Sequence, residues 1–348
     1  MEKQSIQSKK AEIKFREKLT RRQVNGEEVL GRRLDPKGII DLLTKRMEKT
    51  YWQMVTLKKK GVTLSPYIEI GAERGQRALV MENDLNAPGF AVDISFHSLK
   101  SCDYYKKVFG KQENPFRICC DANFLPFKTN SIPFIFCYET LHHFPNHIPI
   151  VKEVYRVLSP GGNFFFDEEP FKQHLKFPLY KRHTCSVSYH SKKSIFRIIV
   201  DRIFLKIYCE EEDYGIVENN DIEINTWRKS LEKFQKKDVK LRSWVIIKIE
   251  SDLFNPGKNP LFYIINYMLG GNVKGFCQKS GSLPTKKLSM SDVLICPSCL
   301  KLGKESDLLK SNHKYVCQSC GKQYPSKENV LFLLPYDEMR ELYPSFPS

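Results

Sequence analysis

Four cysteines near the end of the chain fall into two pairs, Cys296-Pro-Ser-Cys299 and Cys317-Gln-Ser-Cys320, with 17 residues between them. A C-x-x-C pair turns two thiolates toward one point, and two such pairs at this distance build a tetrahedral sulfur cage suited to Zn2+. Four protein ligands leave no open coordination position, so the expected metal is structural and not catalytic. Gly321 fits the tight turn after the second pair. A redox role would need the strand-to-helix junction of a thioredoxin-like pattern, which neither pair has.

A second group is built from acids and glycines. Glu69-Ile-Gly71-Ala72-Glu-Arg-Gly75 follows a short β-rich run at Pro66–Ile70. A glycine turn at a strand end lets backbone N–H groups approach a ligand. Asp93 closes a second run 22 residues after Gly71, where a carboxylate can accept hydrogen bonds from both hydroxyls of a ribose. Asp121 closes a third run and is followed by Ala122. More polar side chains gather after the fourth and fifth runs: Glu139, His142, His143 and His147, then Asp167-Glu168-Glu169.

These residues need a scaffold. The β-rich runs are Pro66–Ile70, Gly89–Asp93, Phe116–Asp121, Ile132–Cys137 and Asn163–Asp167, with a helix predicted over Ile150–Leu158 and ended by Ser159-Pro-Gly-Gly162. Strands alternating with helices predict an α/β fold, a doubly wound, largely parallel sheet covered on both faces. A helix with Thr226 as its N-cap is expected over 226–234, and Val239–Ile249 is expected to supply the last strands. The predicted organisation is a basic helical extension over 1–60, its first 25 residues a mobile arm, then the α/β domain over 61–250 with an insertion at about 168–220. A helix and linker over 251–292, a zinc-ribbon module over 293–336 and a tail over 337–348 complete it.

Five stretches occur in the order found in the class I S-adenosylmethionine-dependent methyltransferases, which residues 60–250 resemble. They are Glu69–Gly75, Asp93, Cys120–Phe127, Glu139-Thr-Leu-His-His-Phe-Pro145 and Val154–Gly162. The resemblance implies a Rossmann-like methyltransferase sheet and S-adenosylmethionine as cofactor. It implies that Glu69, Gly71, Ala72 and Gly75 cradle the methionine part, Asp93 the ribose, Asp121 and Ala122 the adenine, and that the segment at Glu139 lines the methyl group. The family's middle glycine is Glu73 here, a side chain that could crowd the donor. The Gly-x-Gly-x-x-Gly spacing of a dehydrogenase is absent. Methyl transfer from a sulfonium requires in-line positioning and exclusion of water. A hydroxyl acceptor would add a general base, for which Glu139, His142 and His143 are candidates, the histidines reading more readily as structural. Tyr315-Val316 and Tyr324–Pro335 around the second cysteine pair make the last module similar to the zinc-ribbon family that serves as a methyltransferase activator subunit.

The chain carries a net charge of +16 over its 348 residues, which predicts an anionic partner, RNA or an anionic membrane surface. The start of the chain is charged and lacks an apolar leader, and the remaining cysteines are scattered, so a cytoplasmic protein, at most peripheral to a membrane, is expected. The longest apolar run, Leu261–Leu269, is too short to span a bilayer; it reads as a core helix in preference to an interfacial one. Three functions fit these residues. The first is methyl transfer, expected as O-methylation, to a small-molecule, glycan or lipid-linked acceptor. The second is RNA methylation, with Lys9, Lys10, Arg21 and Arg22 on the nucleic acid, although Glu139-Thr140-Leu141-His142 stands where a base N-methylase has an Asn/Asp-Pro-Pro-Tyr-type motif. The third is a binding protein that keeps the fold without the catalysis.

Overall fold

The computed structural model describes residues 2–24, 36–175, 219–243, 249–285, 289–311 and 314–345, with side chains of the first helix described over 6–20. The chain opens with two helices, α1 (Glu2–Val24) and α2 (Pro36–Lys59), which Gly61 ends with a positive φ of 81°. Strands and helices then alternate: β1 (Tyr67–Ile70), α3 (Gln76–Asn83), β2 (Gly89–Asp93), α4 (Phe96–Lys100), α5 (Cys102–Val108), β3 (Phe116–Cys119) and β4 (Ile132–Tyr138). Next come α6 (Ile148–Val157), β5 (Leu158–Phe171), α7 (Ile224–Ser230), β6 (Lys236–Ser243), β7 (Glu250–Asp252), α8 (Pro260–Leu269) and β8 (Gly271–Gln278). The cysteine module adds α9 (Pro297–Lys301), β9 (Leu308–Ser311), β10 (Lys314–Cys317), β11 (Gln323–Lys327) and β12 (Val330–Phe332), and α10 (Tyr336–Leu342) follows.

Among the described residues all twelve strands belong to one sheet, ordered β7-β6-β8-β5-β4-β1-β2-β3-β12-β11-β10-β9. From β5 to β3 neighbouring strands are parallel, and β8 is inserted antiparallel between β5 and β6. The order reverses between β1 and β4, the switch point where open α/β sheets bind ligands at the carboxyl ends of their strands. Side chains alternate between two cores, as a two-residue period requires. Ile68, Ile70, Phe90, Val92, Ile135, Cys137, Phe164 and Phe166 enter one, and Tyr67, Ala91, Phe134, Phe136, Tyr138 and Phe165 the other. Helix α6 shows why such segments coil: Ile150, Val151, Val154 and Val157 recur at helical spacing and are all buried on the first core.

Several expectations need correction. The region 251–292 is not a helix and linker outside the domain: β8 within it pairs with β5 and β6 in the middle of the sheet. Its sequence, Gly-Asn-Val-Lys-Gly-Phe-Cys-Gln, alternates small or apolar with polar residues except at Phe276, and its glycines conceal a strand. Gly275 is needed there because a Cβ would lie 2.2 Å from the Phe166 ring. Residues 168–171 continue β5 and are not insertion, and 176–218, most of the expected insertion, lie outside the described residues. Thr226 sits inside α7, whose N-cap is Glu223. Residues 2–24 are not a mobile arm, for they form α1, which buries Ile13, Phe15 and Leu19. The tail folds as α10, with Met339, Leu342 and Tyr343 buried, and residues 346–348 lie outside the described residues. Finally, α8 is no core helix: Leu261 is 65% exposed and Ile264 58%.

The cysteine module is continuous with the sheet. Strand β12 runs parallel to β3, pairing Val330 with Arg117 and Phe332 with Cys119, so β9–β12 prolong the sheet beyond β3. Leu331 and Leu333 enter the first core, and Val330, Phe332 and Leu334 the second.

Candidate functional site

Three chain segments meet where β1, β2 and β3 end. Ala72 N–H donates to Val92 O at 3.0 Å, Glu73 N–H to Asp93 Oδ2 at 2.9 Å, and Cys120 N–H to Asp93 O at 3.0 Å. Gly71 and Gly75 make the turn possible, both with φ near +70°. Gly71 has a second reason: a Cβ would come within 2.4 Å of Thr140 Oγ1. Glu73 stands at φ 52°, in the left-handed region that favours glycine, a costly conformation for a side-chain-bearing residue. Its carboxylate engages Arg74, Gln76 Nε2 at 3.3 Å and Arg46 Nη1 at 3.2 Å, with Arg16 Nη1 at 3.8 Å. Against the opposing effect of burial, the guanidiniums of Arg74, Arg46 and Arg16 hold that carboxyl well below the usual range.

Asp93 accepts Ser95 N–H at 2.8 Å on one oxygen and Glu73 N–H on the other. Burial nevertheless raises its pKa to about 6. Each oxygen has room for a further donor, because a carboxylate accepts about four hydrogen bonds in all. Glu69 points into the protein: it is buried on β1, and burial raises its pKa to about 8. Asp121 caps the short turn Ala122–Phe124 by accepting Asn123 N–H at 2.9 Å, and its Oδ2 lies 2.6 Å from Lys9 Nζ. Lys9 also reaches Glu338 Oε2 at 2.6 Å, and Glu338 in turn meets Lys301 at 3.1 Å. Helix α1 therefore lies over this rim.

The segment after β4 is fixed from below. Buried Glu169 accepts the N–H groups of Thr140 (2.7 Å), Leu141 (3.0 Å) and His142 (3.2 Å), and His142 Nδ1 lies 3.0 Å from the same carboxylate. His142 is thereby committed to holding the loop. His143 stacks on it at 4.3 Å, and burial with the neighbouring His142 lowers its pKa to about 3, so it is neutral at pH 7. His147 packs on the Trp227 ring at 4.4 Å, away from the rim, and burial lowers it to about 4. Glu139, at φ 48°, is 43% exposed at its side chain and pairs with Arg46 Nη2 at 2.8 Å. Where β5 leaves its pairing with β4, Asp167 and Glu168 face Lys49 at 3.1 and 2.8 Å.

The structure thus places Gly71, Ala72, Gly75, Asp93, Asp121, Ala122 and Glu139 on one rim, with Glu69 behind them. The sequence reading missed Arg16, Arg46 and Lys49, which supply the cations of that rim. They carried no motif, since a basic residue on an amphipathic helix resembles a solvated one.

The four cysteine sulfurs lie within 4.8 Å of one another, with Cys296–Cys320 and Cys299–Cys317 each at 3.7 Å. A tetrahedral metal with bonds of about 2.3 Å to sulfur has S···S edges of about 3.8 Å, so the donor set fits such an ion. Cys299 N–H points to Cys296 Sγ and Cys320 N–H to Cys317 Sγ, both at 3.4 Å, the knuckle geometry. Ser306 Oγ lies 3.1 Å from Cys317 Sγ and Tyr324 OH 3.0 Å from Cys296 Sγ, an outer layer that orients the sulfurs.

Residues 68–166 match the family model described as a methyltransferase domain. The malonyl-acyl-carrier-protein O-methyltransferase of Marinomonas sp. (strain MWYL1) is 27% identical over 100 residues, covering 28% of this chain and 36% of that protein. The chain thus spans about a third of the length of this curated relative. Among solved structures, a protein assigned as a sarcosine dimethylglycine methyltransferase from Galdieria sulphuraria is 15% identical, with 67% of this chain and 86% of that one covered and a TM-score of 0.41. The YcgJ protein of Bacillus subtilis is 14% identical, with 68% and 100% covered and a TM-score of 0.39. The family match runs from β1 through β5, across the strands whose ends carry Gly71, Asp93, Asp121 and Glu139. Residues 68–166 of this chain are thus similar to a methyltransferase domain.

Proposed function

We propose that this chain transfers a methyl group from S-adenosylmethionine to an oxygen of a small-molecule, glycan or lipid-linked acceptor, and that its four cysteines hold a structural Zn2+. The observation that carries the donor assignment is the hydrogen bond from Glu73 N–H to Asp93 Oδ2, which joins the glycine turn to the ribose-binding acid on one rim. Bound there, the donor supplies a sulfonium whose methyl carbon is electrophilic. Asp93 would accept from the ribose hydroxyls with the capacity its two backbone partners leave, the turn at Gly71–Gly75 would hold the methionine part, and Asp121 with Ala122 would border the adenine. Glu169 holds the segment from Thr140 to His142 against Gly71, and that segment closes the cleft beside the methyl group. Glu139 is the accessible carboxylate at this point. The relative's name as an O-methyltransferase agrees with oxygen as the accepting atom.

The RNA reading loses support from α1. Lys9 is enclosed between Asp121 and Glu338 and so is not free for a phosphate backbone, and Lys10 lies beside Glu341 at 2.7 Å. The side chains of Arg21 and Arg22 lie outside the described residues. Two measurements test the proposal. Calorimetry with S-adenosylmethionine and S-adenosylhomocysteine is expected to show one site per chain; no binding by a folded, zinc-loaded sample would leave a non-catalytic protein. Labelled methyl groups incubated with cell extract should enter the small-molecule or lipid fractions, and label in RNA would overturn the acceptor class.

A further inference from the structure

Helix α8 is built inside out. Its buried residue is polar: Asn266 donates through Nδ2 to Leu241 O at 3.2 Å and to Ser251 Oγ at 2.8 Å. Its large apolar residues face outward, with Leu261 65%, Ile264 58%, Phe262 41% and Tyr267 38% exposed. A helix between core and water has the opposite arrangement, a charged outer face over an apolar inner one. Here no charged residue occurs from Asn259 to Val273. Leu175, 37% exposed, extends the face, for its N–H donates to Met268 O at 2.8 Å.

Cations border this apolar face. Arg228 Nη2 donates to Tyr263 OH at 2.7 Å, and Lys258 precedes the helix. The acids on the adjoining β7 are matched by cations of β6, Glu250 by Arg242 at 2.7 Å and Asp252 by Lys240 at 3.0 Å. Glu223 is likewise occupied by Lys172. The chain as a whole has a surplus of 16 positive charges.

The helix also has a defined position relative to the site. It leads directly into β8, where Gly271 pairs with Phe171. Phe171 is four residues beyond Asp167 on β5, about 13 Å along a strand, so α8 lies on the carboxyl side of the sheet, past the rim that carries Asp93 and Glu139.

We propose that α8 docks on an anionic lipid bilayer, with Leu261, Phe262, Ile264 and Tyr267 entering the headgroup–acyl boundary and the bordering cations facing the lipid phosphates. Apolar side chains supply the burial, and basic residues at the border make it selective for anionic lipid. A tyrosine at the edge of such a face keeps its hydroxyl at headgroup level. The docking does not depend on methyl transfer, and its test does not measure it.

The full chain, loaded with zinc, is sedimented with vesicles of phosphatidylcholine mixed with phosphatidylglycerol, and with phosphatidylcholine alone. Binding is expected for the mixed vesicles, weakened by salt, and reduced at least about tenfold in the L261E/I264E variant. An I264W variant supplies a readout that does not rely on the charged variant folding: its added emission should shift to the blue with mixed vesicles. No sedimentation at low salt, equal sedimentation of the L261E/I264E chain, or an unshifted emission overturns the proposal. So does a dimer that the double variant abolishes without any vesicle binding, which would make the face a protein interface.

Discussion

Arg46 Nη2 lies 2.8 Å from Glu139 Oε2, and the other arm of the same guanidinium reaches Glu73 at 3.2 Å. One side chain on α2 thus ties the loop after β1 to the loop after β4. Both glutamates hold left-handed backbone, and so does Glu168, which Lys49 pins one turn further along α2. Residues with a side chain pay for this conformation, and the ion pairs offset that cost.

The Arg46 bridge predicts a difference between charge and shape. Lysine keeps the charge but offers a single point where guanidinium offers a fork. Arg46→Lys should weaken S-adenosylhomocysteine binding about threefold and Arg46→Ala about tenfold, read by calorimetry, with the melting temperature little changed.

Asp93 predicts a pH dependence of donor binding. Its pKa is raised to about 6, so above that pH it is an ionised acceptor and below it the acceptor is protonated. Affinity for S-adenosylhomocysteine should fall as pH is lowered through about 6 and be flat above pH 7. Asp93→Asn should lose roughly ten- to a hundredfold in affinity and abolish this dependence.

Glu69 predicts a pH effect on stability with the opposite sense. Its folded pKa of about 8 exceeds the ordinary 4.5, so between these values the folded chain retains a proton that the unfolded chain has lost. Its contribution to stability is therefore present at low pH and declines as pH rises through that window, by up to about 1.4 kcal/mol per pH unit. Denaturation of Glu69→Gln at pH 6 and pH 8 should show a smaller decline than the parent chain.

Lys9 is 12% exposed between Asp121 and Glu338, whose side chains are 1% and 4% exposed. Lys9→Met leaves the buried Asp121 carboxylate without its cation and Glu338 with Lys301 alone, and should cost about 3 kcal/mol of stability in urea unfolding. A surface lysine such as Lys10, 38% exposed, should cost under about 1 kcal/mol when changed in the same way.

The cysteine cluster predicts one zinc per chain by elemental analysis. Cys317→Ser should lose the metal and lower the melting temperature by on the order of 10 °C, because β12 belongs to the central sheet.

Strands β1 to β5 were legible because each is a short apolar run bounded by a turn, and the acids closing them fell where a sheet's switch point puts its ligands. The cysteine pairs were legible from spacing alone. Strand β8 was not, since Gly271 and Gly275 resemble linker residues until Phe166 and Arg242 are seen pressed against them. Helix α8 was misread because an apolar run gives no sign of which way it faces; the buried Asn266 decides that, and it is one residue. Arg46 and Lys49 were invisible for a related reason, as their partners lie 93 and 118 positions away, at Glu139 and Asp167.

The pairing of β12 with β3 also determines what this chain can assemble with. The outer strand of a parallel sheet ordinarily offers an unpaired row of amides and carbonyls, an invitation to any extended segment. In this molecule Val330–Phe332 already occupies that berth, and the sheet runs on to β9 before it meets solvent. A separate protein would find no place to add a strand beside β3, because a strand of the same chain already lies there.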